Sequence, residues 1–292
     1  LILLFILPIS NSFGAMVTHI QSATVSDGGA NHIQGIQFNK NGTKMFTLNN
    51  TTDGETYTHI NEYTLSTPFD ISTRIYAGAN ERCELDHGGD NNGSYDLEFS
   101  SDGMKLFFAE GKSSDGADFD KVFRFDLTTA YDISTCLYAN NATSNLDSDA
   151  LQNGSNAGDV TSGKGKNRLQ GLIFHGASGT APNTRLLEYQ LSTPYDLTTI
   201  SLVTTAGIEL EGETANPYSI RFSANGKRIF SVDHNLGSQD VTQISLTSAY
   251  DTSGFTIDGT VSLDSLKSTV TQPRGIAFSA SGLKMYIGND KT

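Results

Sequence analysis

The chain has 292 residues, 37% of them hydrophobic, with 29 glycines, 6 prolines, 2 cysteines and no tryptophan. That is enough apolar material for one large core, and the abundance of glycine suits strands parted by polar turns. A net charge of −13 repels phosphate backbones and anionic lipid, which excludes nucleic acid as a partner.

The chain opens on an apolar run, residues 1–9, followed by Ser10-Asn11-Ser12. Nine apolar residues are too few to span a bilayer and suit the core of a secretory leader. Residues 1–12 are therefore expected as an incomplete signal peptide cleaved after Ser12, against the alternative of a buried first strand. The folded domain is expected over 16–292, and no later stretch is long enough to cross a membrane. Residues 16–26 read as a lone strand ahead of the first repeat.

From residue 35 onward one hairpin pattern recurs. It runs Gly35-Ile-Gln-Phe to Phe46, Asp96-Leu-Glu-Phe to Phe107, Ser219-Ile-Arg-Phe to Phe230, and Gly275-Ile-Ala-Phe to Tyr286. Each copy turns at a glycine, namely Gly42, Gly103, Gly226 and Gly282, where a positive φ costs little. A second motif follows the hairpins: Leu65-Ser-Thr-Pro-Phe-Asp70, Leu127-Thr-Thr-Ala-Tyr-Asp132, Leu191-Ser-Thr-Pro-Tyr-Asp196 and Leu246-Thr-Ser-Ala-Tyr-Asp251. The period is about sixty residues, and an alternating strand precedes each copy. The third repeat is degenerate, and its first two strands are expected near 158–162 and 168–175. The fifth stops after its second strand at Thr292.

Four strands per repeat, apolar on both faces of the inner ones, describe sheets packed on neighbouring sheets. The fold class is therefore all-β, a β-propeller of four-stranded blades. The incomplete fifth repeat leads to the expectation of a C-terminally truncated chain from a ring of six or seven blades. The Phe-Ser-x-x-Gly-x-Lys hairpin resembles the blade signature of bacterial YVTN-type and WD40-like (PD40) propellers. That resemblance covers the whole mature chain and implies architecture more than activity, since such propellers include lactonases, quinoproteins, scaffolds and surface proteins. The Leu-Ser-Thr-Pro-Tyr-Asp element is less typical of them.

In a propeller, the loops from strand two to three and from strand four to the next blade share one face. Here those loops are long and acidic, whereas the opposite face carries the glycine turns. Function tends to sit on loops held by a rigid scaffold. Repeat alignment places Gln34, Tyr95, Tyr218 and Arg274 before the first strands, and Asn49, Glu110, Asp233 and Asn289 at the ends of the second strands. These eight form the expected ligand-binding mouth of the channel. Asp86, Asp90, Asp96, Asp115, Asp118 and Asp120 lie in glycine-rich loops whose oxygens suit Ca²⁺, the one cofactor considered. Their other reading is solvated surface acids, since neither stretch has the spacing of an EF-hand.

Cys83 and Cys136 fall near equivalent outer strands of adjacent repeats, and a disulfide and two free thiols are both open. Catalytic signatures such as GxSxG and HExxH are absent, and the six histidines are scattered. The leading reading is a secreted, monomeric module, more a binder than an enzyme, that engages a protein or glycan through its acidic loop face. The alternative is a lactonase-like hydrolase in which Glu110, Asp233 and Asn49 converge on a metal at the channel mouth.

Overall fold

A computed structural model describes residues 1–6, 17–27, 32–50, 58–86, 94–110, 121–141, 161–162, 168–174, 185–209, 217–233, 239–266, 268 and 270–290. Its strands form five antiparallel sheets. The closing sheet takes β1 (Ile2–Ile6) and β2 (Thr18–Ala23) from the start of the chain. The first blade holds β3 (His32–Phe38), β4 (Lys44–Asn50), β5 (His59–Leu65), β6 (Arg74–Tyr76) and the short β7 (Cys83–Glu84). The second runs β8 (Ser94–Phe99), β9 (Lys105–Glu110), β10 (Lys121–Asp126) and β11 (Leu137–Asn141). The third runs β12 (Thr161–Ser162), β13 (Arg168–Phe174), β14 (Arg185–Leu191) and β15 (Ile200–Glu209), at the positions expected for the degenerate repeat. The fourth runs β16 (Pro217–Phe222), β17 (Arg228–Asp233), β18 (Asp240–Ser248) and β19 (Asp251–Ser262). Finally β20 (Pro273–Phe278) and β21 (Lys284–Asn289) join β1 and β2 in the order β2-β1-β21-β20.

The ring closes at five sheets. Inner strand β20 packs between β16 and β3, β3 lies beside β8, and β8 and β16 flank β12. The third strand that the fifth repeat lacks is supplied by β1. The apolar run expected as a leader is here the third strand of the closing blade, paired with β21 on one side and β2 on the other. Ile2, Leu3, Leu4 and Phe5 are all buried in the seams to the neighbouring blades. The cleavage position expected at Ser12 lies outside the described residues. Strand β2 takes the outermost position, and it is the lone strand expected over residues 16–26.

The recurrent motifs build one interlocking device. In each Leu-Ser/Thr-x-x-Phe/Tyr-Asp element the aromatic residue has a left-handed backbone: Phe69, Tyr131, Tyr195 and Tyr250 have φ of 58°, 56°, 61° and 58°. Such a conformation is costly for a bulky residue unless its surroundings enforce it. At Tyr131 the enforcing group is Gly103, whose own φ is 72°. Tyr131 N–H donates to the Gly103 carbonyl at 2.9 Å, and a Cβ on Gly103 would stand 2.3 Å from the Tyr131 ring. The freed aromatic carbonyls then accept from the adjacent blade. Lys44 Nζ donates to Tyr131 O at 3.0 Å, Arg124 Nη1 to Tyr195 O at 2.9 Å, and Tyr286 Oη to Phe69 O at 2.6 Å. Gly103→Ala is expected to cost on the order of 3 kcal/mol, combining left-handed strain with overpacking. Urea denaturation of Gly103→Ala in wild-type and Tyr131→Ala backgrounds checks this. An equal cost in both would show that the ring contact is irrelevant.

Cys83 on β7 and Cys136 before β11 form a disulfide, with Cα atoms 5.9 Å apart. It staples the first blade to the second.

Candidate functional site

The inner strands share a local irregularity. The ladder between first and second strands slips between Ile33 and Gly35, Tyr95 and Leu97, Pro217 and Ser219, and Pro273 and Ile276. A bulge at the same height in four blades re-aims the side chains just below the mouth. In the second blade the bulged residue is Asp96, with φ of 34°.

Asp96 is 1% exposed, and its carboxylate meets Arg221, which reaches from the fourth blade. Arg221 Nη2 donates to Asp96 Oδ1 at 2.8 Å and Oδ2 at 2.7 Å, and Ser219 Oγ donates to Oδ2 at 2.6 Å. Arg221 Nη1 pairs with Glu98, and its Nε donates to the Ile276 carbonyl of the fifth blade at 2.9 Å. Gln37 of the first blade donates to Glu98 at 2.7 Å. The guanidinium thus ties its own fourth blade to the second and fifth, and Gln37 adds the first through Glu98. The backbones converge beside it: a Cβ on Gly35 would lie 2.8 Å from Asp96 Cα, and one on Gly275 would lie 2.8 Å from Gly35 Cα. A buried ion cluster therefore lies on the inner strands beneath the residues aligned at the mouth.

Burial pushes the Glu98 carboxyl up from 4.5 to about 7, outweighing the attraction of Arg221. A carboxyl whose folded pKa lies above its unfolded one stabilises the fold most below pH 4.5, and that contribution is lost as pH rises through 7. Glu98→Gln is expected to flatten this part of the stability profile, a change of roughly 1–3 kcal/mol between pH 4.5 and pH 7.5. Urea midpoints across that range measure it, and parallel profiles for wild type and variant would refute it.

Of the eight residues expected at the mouth, the structure brings Tyr218 and Arg274 together, the guanidinium lying 4.0 Å over the ring. Arg274 Nη2 is 3.7 Å from Asp290, whose other oxygen is 2.8 Å from His32 Nδ1. Asn289 is buried and accepts from the backbone N–H groups of Thr271 and Gln272 at 3.1 and 2.9 Å. Asn49 is buried too, its amide donating to the Thr47 carbonyl at 2.9 Å, while Gln34 is 5% exposed. Tyr95, Glu110 and Asp233 sit in their strands as aligned, but their side chains lie outside the described residues.

Among the six acids considered for Ca²⁺, Asp90, Asp115, Asp118 and Asp120 are outside the described residues, and Asp86 is exposed. Asp96 does not fit a cation site, because both its oxygens are committed to a guanidinium. Among the described residues there is no group of three His, Cys, Asp or Glu side chains placed to hold a metal.

Sequence reasoning passed over Arg221, Glu98 and Gln37. The signal was present: they occupy one aligned position, followed each time by Phe, where an inner strand would carry an apolar residue. His32 was expected, with His87 and His234, to reach the loop face, but its approach to Asp290 was not foreseen, because the two belong to blades at opposite ends of the chain.

No protein-family model matches the chain, and no curated protein matches it. Solved structures resemble it in fold. An α-L-arabinofuranosidase from Lactobacillus brevis is similar with a TM-score of 0.54 and 10% identity, over 89% of this chain and 84% of that one. A GH43 β-1,3-galactosidase bound to galactodeoxynojirimycin gives 0.51 and 12% over 92% and 94%. A periplasmic gluconolactonase from Pseudomonas aeruginosa gives 0.44 and 13%, and the chain spans 65% of its length. At such identities the likeness is one of fold alone. Among the described residues, no helix is long and apolar enough to cross a membrane.

Proposed function

We propose that this protein is an exported propeller, of the YVTN or WD40-like kind, that binds a small polar ligand in the mouth of its channel. The long acidic loops around that mouth would engage a protein or glycan partner. The observation that carries this reading is the self-saturated ion cluster on the inner strands. With Arg221, Asp96 and Glu98 saturating one another, the centre holds the blades, and the accessible chemistry lies above it on Tyr218, Arg274 and His32. An aromatic face, a fixed cation and buried amides on a rigid scaffold are the ordinary makings of a small-molecule site. The disulfide supports export, since such bonds persist in oxidising compartments.

The test is a calorimetric screen of mono- and oligosaccharides and lactones, with and without CaCl₂, against wild type and Tyr218→Ala. A ligand that binds wild type should lose at least tenfold affinity in the variant, about 1.4 kcal/mol. Equal binding by both proteins, or none by wild type, would sink the reading. A Ca²⁺-dependent rise in melting temperature, reversed by chelation, would assign the loop acids to a cation.

The hydrolase reading is kept for one observation, the approach of His32 to Asp290 in the mouth. The metal-dependent version, through Glu110, Asp233 and Asn49, remains a proposal on side chains largely outside the described residues.

A further inference from the structure

The blades differ at one aligned height of their second and third strands. There the second blade pairs Phe108 with Phe123, and the closing blade pairs Ile287 with Leu3. The two phenyl rings stack at 5.1 Å. The third blade carries Leu172 opposite Leu187 in the same place. In the first blade the position is held by Thr47 and Asn61, and in the fourth by Ser231 and Thr242. All four of these polar residues are 0% exposed.

The first blade extends the polar patch. Alternation puts Thr47 and Asn49 on one face of β4, and the register sets His59, Asn61 and Tyr63 on the same face of β5. All five are fully buried. That face looks to the closing blade, since Met45 and Tyr63 pack with Ile2, Leu4 and Tyr286. The Asn49 amide leans along its own strand and donates to the Thr47 carbonyl at 2.9 Å and the Thr47 hydroxyl at 3.1 Å. Asn61 donates to the Asp27 carbonyl at 3.0 Å. Exchanging oxygen and nitrogen in either amide would set an oxygen against a carbonyl, so both orientations are fixed. Among the described residues, nothing donates to Asn49 Oδ1 or Asn61 Oδ1, and Tyr63 Oη makes no hydrogen bond. In the fourth blade Val232 and Val241 pack toward the closing blade, which turns Ser231 and Thr242 toward the third. Their hydroxyls are also without partners among the described residues.

We infer that the seam between the first and closing blades is a binding site for internal water, held by Asn49, Asn61, Tyr63 and Thr47, and that Ser231 and Thr242 hold water in the seam to the third blade. A polar atom sealed from solvent without a partner is costly, and in folded proteins such atoms are met by ordered water making about three hydrogen bonds. Two amide oxygens accept, and a phenol can donate or accept, which suits a molecule that does both. Thr and Asn are far smaller than the two stacked phenyl rings at the same position of the second blade, which frees side-chain volume in this seam. A cation is the poorer occupant. The four oxygens are neutral, Asp27 beside them is exposed, and a buried charge without a counter-charge is strongly disfavoured.

The experiment uses the full chain and counts long-lived internal waters by magnetic relaxation dispersion of the water oxygen. Thr47→Val with Asn61→Leu is expected to remove about one such water. Its melting temperature should stay within about 4 °C of wild type, because both partners become apolar, as in other blades at this position. Ser231→Ala with Thr242→Val should remove about one more. An unchanged amplitude in a folded variant would overturn the assignment for that seam. Magnetisation transfer from water to the Asn49 and Asn61 amide protons of nitrogen-labelled wild type needs no substitution. Peaks of opposite sign in the laboratory and rotating frames are expected, and their absence at both amides would overturn the inference for the first seam. A melting temperature raised by NaCl or KCl over choline chloride at equal ionic strength, and not raised in Thr47→Val with Asn61→Leu, would overturn it in favour of a cation.

Discussion

Arg221→Ala is expected to lower folding stability by about 3–5 kcal/mol, because it leaves the buried Asp96 carboxylate without a counter-charge beside the partly buried Glu98. Asp96 is 1% exposed and Arg221 6%, so water cannot replace the lost partner without opening the cluster. Arg221 also serves the Ile276 carbonyl and lies within reach of that of Leu97, and truncation would orphan them. The loss should be specific to the charge imbalance. Replacing the cluster by the near-isosteric neutral set Arg221→Met, Asp96→Asn and Glu98→Gln should recover most of it, since buried ion groups often exchange neutrally for uncharged ones. Urea denaturation of the single and triple variants decides the matter. A single variant within 1 kcal/mol of wild type, roughly the scale of an exposed pair, would mean that solvent already screens the cluster.

Leu3→Asp is expected to cost more than about 4 kcal/mol, from lost apolar burial and a carboxylate placed among hydrocarbon. Leu3 has 0% exposure and packs in one cluster with Phe5, Val232, Met285 and Ile287. Its strand bonds to neighbours on both edges, so the penalty is shared by the whole closing blade. Mass spectrometry of the folded, exported chain supplies the complementary reading. Retention of residues 1–6 is expected if β1 closes the ring. A folded protein that lacks them and melts unchanged would mean that another segment fills the third position of that blade.

The strand β1 shows where sequence reading stops. In the other four blades the central residue of the third strand is polar: Glu62, Arg124, Glu188 and Gln243. Each answers a neighbour, as Glu62 answers Lys44 at 2.8 Å. Leu4 takes that place opposite Tyr286, just as Glu62 sits opposite Phe46. An unbroken apolar run lacks the alternation that identified the other third strands. Its length and small flanking residues match a leader equally well, so pattern alone could not choose.

The hairpins, their glycine turns, the strand count per repeat and the propeller class were legible because they repeat, and because each depends on short-range rules of alternation and backbone freedom. Ring closure, the pairing of Cys83 with Cys136, and the use of Asp96 against Arg221 rather than a cation were not legible. Each joins residues from different blades, where partner choice depends on how many sheets fit around the axis and how closely their backbones approach. A carboxylate in a glycine-rich stretch reads as a cation ligand until the fold brings a guanidinium to it across the ring. The repeat therefore specifies the blade, while the burial of charge at the axis and the contact of His32 with Asp290 at the seam arise only when the first and last blades meet.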